Sequence, residues 1–252
     1  MICVKIIGSD YDGTLNHNGI DEKKKQKLQL WRSKGNVFAL ISGRFREDVI
    51  DLYAEQQFPC DYLIADNGAV LMKTDGTVVS QIRCDGALAA PLIKALHGWG
   101  CRWAKADTDF VCKVYAKETD LEEETDFTLE TMPEVPYFYQ ISTALPDFET
   151  AARVTTLIDE HFGNKLNALQ NGTCIDIVRA DMNKAQGLRI LADYLGADYS
   201  GIIAVGDNIN DSDMIREFRS YAMENGVDSI KALADFITPG VGELIEKELA
   251  GN

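Results

Sequence analysis

The strands this sequence predicts lack a polar–apolar alternation, and that limits the fold more than any other feature. Val4 to Gly8, Val37 to Ile41, Tyr62 to Ala65 and Ile202 to Val205 are short, largely unbroken apolar runs. A strand with one wet face alternates, whereas a strand covered on both faces does not, and the second case is typical of parallel sheets flanked by helices. Helical segments lie between them. Asp21 to Lys34 has an N-cap in Asp21 and a C′ residue in Gly35, and Phe45 to Gln56 forms a second helix. Val70 to Met72 and Thr77 to Ile82 flank Thr74-Asp75-Gly76, which predicts a hairpin.

The pattern changes near residue 82. A helix over 87–97, strands over 102–106, 110–115 and 137–142, a helix over 148–162 and strands over 165–169 and 174–178 mix hairpins with helices. The acidic run KETDLEEETDFTLETMPEVP between them reads as a solvated loop or short helix. Helices over 183–195, 213–218, 228–233 and 241–249 and a strand over 236–238 then resume the first style. The expectation is an α/β protein. Its parallel-sheet core comprises residues 1–81 and 181–252, interrupted by an inserted α+β domain over 82–180.

Composition removes several functions. The net charge is −15 with no basic face, which argues against a nucleic-acid partner; the Lys23-Lys24-Lys25 run reads as a solvated helix face. No apolar stretch approaches the roughly 20 residues that span a bilayer, and Lys5 interrupts the first apolar segment, so neither a membrane span nor a secretory leader is expected. The six cysteines form no C-x-x-C pair and read as free thiols of a cytoplasmic protein.

Ligands of open α/β sheets bind at the carboxyl ends of the strands. After the four core strands come Ser9-Asp10-Tyr11-Asp12-Gly13-Thr14, Ser42-Gly43-Arg44, Asp66-Asn67-Gly68 and Gly206-Asp207-Asn208-Ile209-Asn210-Asp211. Each loop alone is ordinary, since Asp, Asn, Ser and Gly serve turns and helix caps. Parallel strands bring all four to one edge, where several unpartnered carboxylates would repel one another. If extended geometry persists past the first strand, Asp10 and Asp12 face the same side and need a positive charge between them.

A hard divalent cation such as Mg²⁺ meets that need with carboxylate, carbonyl and water oxygens. Asp10 and Asp207 are the expected direct ligands, with a backbone carbonyl near Asp12, and with Asp211 binding the ion or a ligand water. The EF-hand pattern is excluded by spacing, with Ile209 at the third position counted from Asp207. A cation with Lys184, the Ser42 hydroxyl and loop N–H groups makes a phosphate site. Ser42, Gly43, Arg44, Lys184 and Asn210 form the expected phosphate- and substrate-binding set, and Arg44 reads equally as an exposed helix residue. Asp10 is placed to attack phosphorus and form an aspartyl-phosphate, and Asp12 to protonate the leaving oxygen and then activate water.

Asp10-Tyr11-Asp12-Gly13-Thr14-Leu15, Ser42-Gly43-Arg44, Asn67-Gly68-Ala69, Lys184 with Gly187, and GDNIND with Met214 resemble, in that order, the haloacid dehalogenase-like phosphohydrolases. The position of the insert, and NGVDSIKALADFIT near the end, resemble the Cof-type subfamily. The resemblance implies a Rossmann-like core, Mg²⁺ (with Asp10, Asp12, Asp207 and Asp211 around it), and hydrolysis of sugar phosphates or similar small phosphate monoesters through phospho-Asp10. It also implies that the insert is a cap that closes over the substrate and selects it. The partner is then a small phosphorylated metabolite, and the protein a monomer or small homo-oligomer. Tyr11 departs from the family's usual aliphatic residue, and the insert looks abbreviated. A phosphomutase shares the same motifs. A phospho-accepting signalling domain shares the Asp, Ser/Thr and Lys but not an acid/base at the position of Asp12.

Overall fold

The computed structural model describes residues 4–108, 113–116 and 134–251. Along the first stretch run β1 (Ile6–Ser9), α1 (Glu22–Ser33), β2 (Val37–Ile41), α2 (Arg46–Gln56), β3 (Tyr62–Ala65), β4 (Val70–Lys73) and β5 (Val78–Gln81). Next come β6 (Cys84–Asp85), α3 (Ala89–Gly98), β7 (Trp103–Asp107), β8 (Lys113–Ala116), β9 (Tyr137–Phe138), β10 (Gln140–Ala144), α4 (Phe148–Phe162), β11 (Leu166–Asn171) and β12 (Cys174–Arg179). The chain ends with α5 (Lys184–Leu195), β13 (Ile202–Gly206), α6 (Ser212–Glu217), β14 (Arg219–Met223), α7 (Asp228–Lys231), β15 (Phe236–Thr238) and α8 (Val241–Ala250).

The chain forms two compact units, residues 1–80 with 184–252 and residues 81–183. The first contains a sheet in the order β15-β14-β13-β1-β2-β3-β4-β5, in which β15 through β3 run parallel and β4 returns antiparallel to β3. The central strands are buried along nearly their whole length, which is why their sequences do not alternate. Leu188, Leu191 and Ala192 of α5 pack with Ile6, Ala39, Ile64 and Ala204 in one core on a face of this sheet. That contact is close: a side chain at Gly8 would meet Leu188 within 2.4 Å.

The second unit contains the five-stranded sheet β11-β12-β10-β7-β8 and the small pair β6-β9. Leu92, Ile93 and Leu96 of α3 and Val154 and Ile158 of α4 cover one face, meeting Ala104, Ile141, Ile175 and Ile177. Asp147 caps α4, its carboxylate accepting from the Thr150 amide at 2.7 Å.

Several expectations need correction. The single strand expected over 137–142 is two: Tyr139 breaks it, so Tyr137–Phe138 pairs with β6 while Gln140–Ala144 enters the larger sheet. The strands Arg219–Met223 and Cys84–Asp85 were not expected at all. The first strand starts at Ile6 and ends at Ser9, so Asp10 already lies outside it. Residues 109–112, part of an expected strand, and 117–133, most of the acidic run, lie outside the described residues. Among the described cysteines Cys60, Cys84 and Cys101 are buried free thiols and Cys174 is half-buried; Cys3 and Cys112 lie outside the described residues. No helix among the described residues is long and apolar enough to cross a membrane.

Candidate active site

The register of the parallel sheet puts four loops at one edge. Ser9 lies level with Leu40 on one side and Val205 on the other, so Asp10, Ser42 and Asp207 follow their strands almost in line. The Asp10 amide donates to the Val205 carbonyl at 3.0 Å, continuing the ladder one residue further. Beyond it the backbone turns. The Leu15 amide returns to the Asp10 carbonyl at 3.1 Å, and Gly13 takes a φ of +76°. Glycine is required there twice over, because a side chain would also strike the Asp207 carboxylate at 2.4 Å.

This turn separates the two carboxylates that extended geometry would have kept together. Asp10 is buried at 6 % exposure, and Lys184 donates to its Oδ1 at 2.6 Å. Asp12 is exposed and takes a different cation: Arg44 donates to both carboxylate oxygens, Nε to Oδ2 and the other nitrogen to Oδ1, each at 2.8 Å. The Arg44 guanidinium also lies 5.6 Å from the Tyr11 ring centre. Arg44 is exposed, as one of its two readings had it, but it lies before α2 rather than in it. Its bidentate bond to Asp12 raises its pKa despite the opposing effect of partial burial.

Lys184, the first residue of α5, has no exposed surface. Its ammonium donates to Asp10 at 2.6 Å and to Asp211 at 2.5 Å. Burial alone would lower its pKa, but the two carboxylates outweigh it and hold the amine above its ordinary value, protonated. The other oxygen of Asp211 accepts from the amides of Asp207 and Asn208 at 2.9 and 3.2 Å. A side chain at Gly206 would collide with that carboxylate at 2.4 Å, so this loop closes only with glycine there. Asp207 accepts from the Thr14 hydroxyl at 2.8 Å. Burial and then the Asp211 charge push its pKa up, while Thr14 and Lys184 pull it down.

Asp10, Asp207 and Asp211 each offer a carboxylate oxygen to a common space in which these atoms lie within 4.8 Å of one another. One ammonium serves this group, leaving excess negative charge. Desolvation first, and then the Asp211 and Asp207 charges, push Asp10 up from an ordinary 3.8 to about 8 against the pull of Lys184. All-oxygen donors with surplus negative charge suit a hard divalent cation. The Asp12 carboxylate is not part of the group, since it is held by Arg44.

Of the expected phosphate-binding set, Ser42, Gly43 and Arg44 follow β2 and Asn210 follows β13. Ser42 is buried, and its hydroxyl accepts from the Arg44 amide at 3.1 Å. Gly43 lies between them in the bend, half-buried. Asn210 lies half-buried in the short turn Ile209–Asp211, whose start is held by the Asn208 side chain accepting from the Ile209 amide at 2.8 Å. Two further residues, Thr14 and Asn225, hold the site together. Thr14 stood inside the quoted motif, and its hydroxyl was the available signal. Asn225 donates to the Gly13 carbonyl at 2.8 Å from 212 residues away; it opens the NGVDSIKALADFIT segment, which carried no site role of its own.

With this geometry in view, the chain matches the haloacid dehalogenase-like hydrolase family over residues 7–243 and belongs to it, within the Cof type. A Buchnera aphidicola protein named, by inference, as a phosphatase is 26% identical over 246 residues, spanning 90% of this chain and 87% of its own. The Bacillus subtilis 5-amino-6-(5-phospho-D-ribitylamino)uracil phosphatase YwtE is 23% identical over 288 residues, spanning 98% of this chain and 99% of its own. Among solved structures, a haloacid dehalogenase-like hydrolase from B. subtilis superposes with a TM-score of 0.82 at 19% identity, covering 96% of this chain and 99% of that one. At that identity the superposition establishes the fold.

Two outcomes follow from the buried charges. Replacing Lys184 by Met leaves Asp10 and Asp211 without their counter-ion and should destabilise the protein by about 3–5 kcal/mol, measured by urea unfolding. In chelator-treated protein Asp10 keeps its proton to about pH 8 when folded and to 3.8 when unfolded, so its contribution is fully present below pH 3.8 and is lost as pH rises through about 8. Asp10→Asn should therefore raise the melting temperature of the metal-free protein, with a gain that grows from pH 5 to pH 8. A gain independent of pH would contradict the shift.

Proposed function

We propose that this hydrolase cleaves small phosphate monoesters with Asp10 as the nucleophile. The observation that carries the reading is the buried Asp10 carboxylate, at the carboxyl end of the central strand, sharing Lys184 with Asp211 beside Asp207. In the first step an Asp10 oxygen bonds to phosphorus and the ester P–O bond breaks, its electrons going to the leaving oxygen. Asp12 delivers the proton that oxygen needs. In the second step Asp12 takes a proton from water as the water attacks phosphorus, and the Asp10–phosphorus bond breaks to release phosphate. Asp12 must leave its Arg44 partner to serve in this way. Lys184 offsets the charge of the phosphoryl group, and the Ser42 hydroxyl and neighbouring loop amides are the proposed phosphate donors, with Gly43, Arg44 and Asn210 lining the remainder.

Asp10, Asp207 and Asp211 are the residues that would hold Mg²⁺, with Asp12 contributing through its backbone; the ion, when bound, offsets the repulsion between a carboxylate nucleophile and a phosphate dianion. Choice of substrate is assigned to the unit 81–183. On the sheet face away from α3 and α4, Lys105, Ser142 and Asp176 stand level on adjacent strands. The Ser142 hydroxyl donates to Asp176 at 2.6 Å and accepts from Gln140 at 2.9 Å. Polar rows of this kind suit a hydroxylated organic group. Sugar phosphates are the first substrates to examine, and ribityl phosphates the second, given what the B. subtilis relative is named for.

The test is phosphate release from a panel of sugar phosphates, ribityl phosphates, nucleotides and pyridoxal phosphate, with and without Mg²⁺. Mg²⁺-dependent release from at least one ester, lost in Asp10→Asn and in Asp207→Ala, is expected. Release that survives Asp10→Asn would remove the nucleophile assignment.

A further inference from the structure

The third loop at the site edge has no role in the chemistry above. It is also the most unusual backbone among the described residues. Asp66, Asn67 and Gly68 take φ values of +52°, +50° and +103° in succession. Two of them are not glycine, and all three are buried. Left-handed residues occur singly where a turn needs them; a buried run of three that includes two residues with side chains persists only where its surroundings fix it.

Those surroundings are the phosphate-binding elements. The Asp66 amide donates to the Arg44 carbonyl and the Asn67 amide to the Ser42 carbonyl, each at 3.0 Å. The left-handed twist aims two consecutive N–H groups at the loop that carries the Ser42 hydroxyl. On its other side the turn touches α5. A side chain at Gly187 would lie 2.7 Å from the Gly68 Cα and 3.1 Å from the Ile64 side chain, so helix and turn meet backbone to backbone. Gly187 stands three residues after Lys184, on the same face of the helix.

We infer that the Asp66-Asn67-Gly68 turn is a positioning element that fixes the separation between the Ser42 hydroxyl and the Lys184 ammonium, the two groups proposed to hold the phosphate. The inference rests on the phosphatase reading. An ordinary right-handed or extended turn would not direct both amides back to residues 42 and 44 while leaving room for α5. The pairing of Gly68 with Gly187 sets how near the helix comes, and Lys184 is carried with it.

Two variants test this in the full chain. Gly187→Ala must push α5 away from the turn. Asn67→Gly keeps a residue that adopts φ +50° without strain while removing the buried side chain, and so loosens the turn. The measurements are kcat and KM for the best ester of the panel, competitive inhibition by inorganic phosphate, half-activating Mg²⁺ concentration, and melting temperature. Displacement of a positioned group by about 1 Å costs about 10²-fold in rate. The expected result is a loss of that order in kcat/KM for Gly187→Ala and a smaller loss for Asn67→Gly. Weaker phosphate inhibition should accompany both, with the Mg²⁺ requirement unchanged and Asn67→Gly melting near wild type. Unchanged phosphate inhibition in a folded Asn67→Gly variant would overturn the inference, as would losses that track melting temperature and Mg²⁺ affinity together. If wild type releases no phosphate from any ester, the phosphatase reading falls and this inference with it; turnover by wild type together with unaffected variants overturns the inference alone.

Discussion

Lys184 is a fully buried ammonium between two carboxylates, and the parallel-sheet unit is organised around keeping it there. A lone buried charge costs several kcal/mol, so each member of this group depends on the others remaining in place. Asp10 comes from the end of β1, Asp211 from the loop after β13, and Lys184 from the start of α5. Because β1 pairs with β13, and α5 packs across β1 with Leu188 against Gly8, one ammonium reaches both carboxylates. The loop glycines are part of the same arrangement. Side chains at Gly13 and Gly206 would occupy space held by the carboxylates of Asp207 and Asp211.

The charge balance of this group also gives it a chemical character. Two carboxylates and one ammonium, with Asp207 beside them, leave the group short of positive charge. Burial first, and then the neighbouring carboxylate charges, raise Asp10 to about 8. A carboxylic acid is a poor nucleophile, so the role proposed for Asp10 at neutral pH calls for a second cation. Asp12 is handled differently. It sits on the exposed side of the turn, in a bidentate bond with Arg44, where its carboxylate can be exchanged without disturbing the buried group.

Much of this was legible in the sequence, for reasons that differ between elements. β2, β3 and α4 lie where periodicity and composition put them, because long-range packing agrees with local preference there. Arg219–Met223 was hidden because its polar start follows a helix directly, with no glycine or proline between, and it becomes a strand only beside β13. Tyr139 gave no sign that it divides one apolar run between two sheets. At the site, the convergence of the four loops followed from parallel topology alone. The environments of Asp10 and Asp12 did not, because an i, i+2 rule holds only while the strand lasts, and this one stops at Ser9. The Arg44–Asp12 pair and the Asn225 bond to Gly13 join positions 32 and 212 residues apart, and no local pattern encodes either.

The central claim is that the phosphoryl group passes through Asp10. The most direct measurement is rapid acid quench of the Mg²⁺-loaded Asp12→Asn protein during turnover, followed by mass spectrometry of the peptide spanning residues 5–23. The account predicts a phosphoryl adduct on Asp10 that accumulates because water is no longer activated, and that is released by hydroxylamine as an acyl phosphate. Turnover with no adduct on that peptide, or an adduct on another residue, would contradict it.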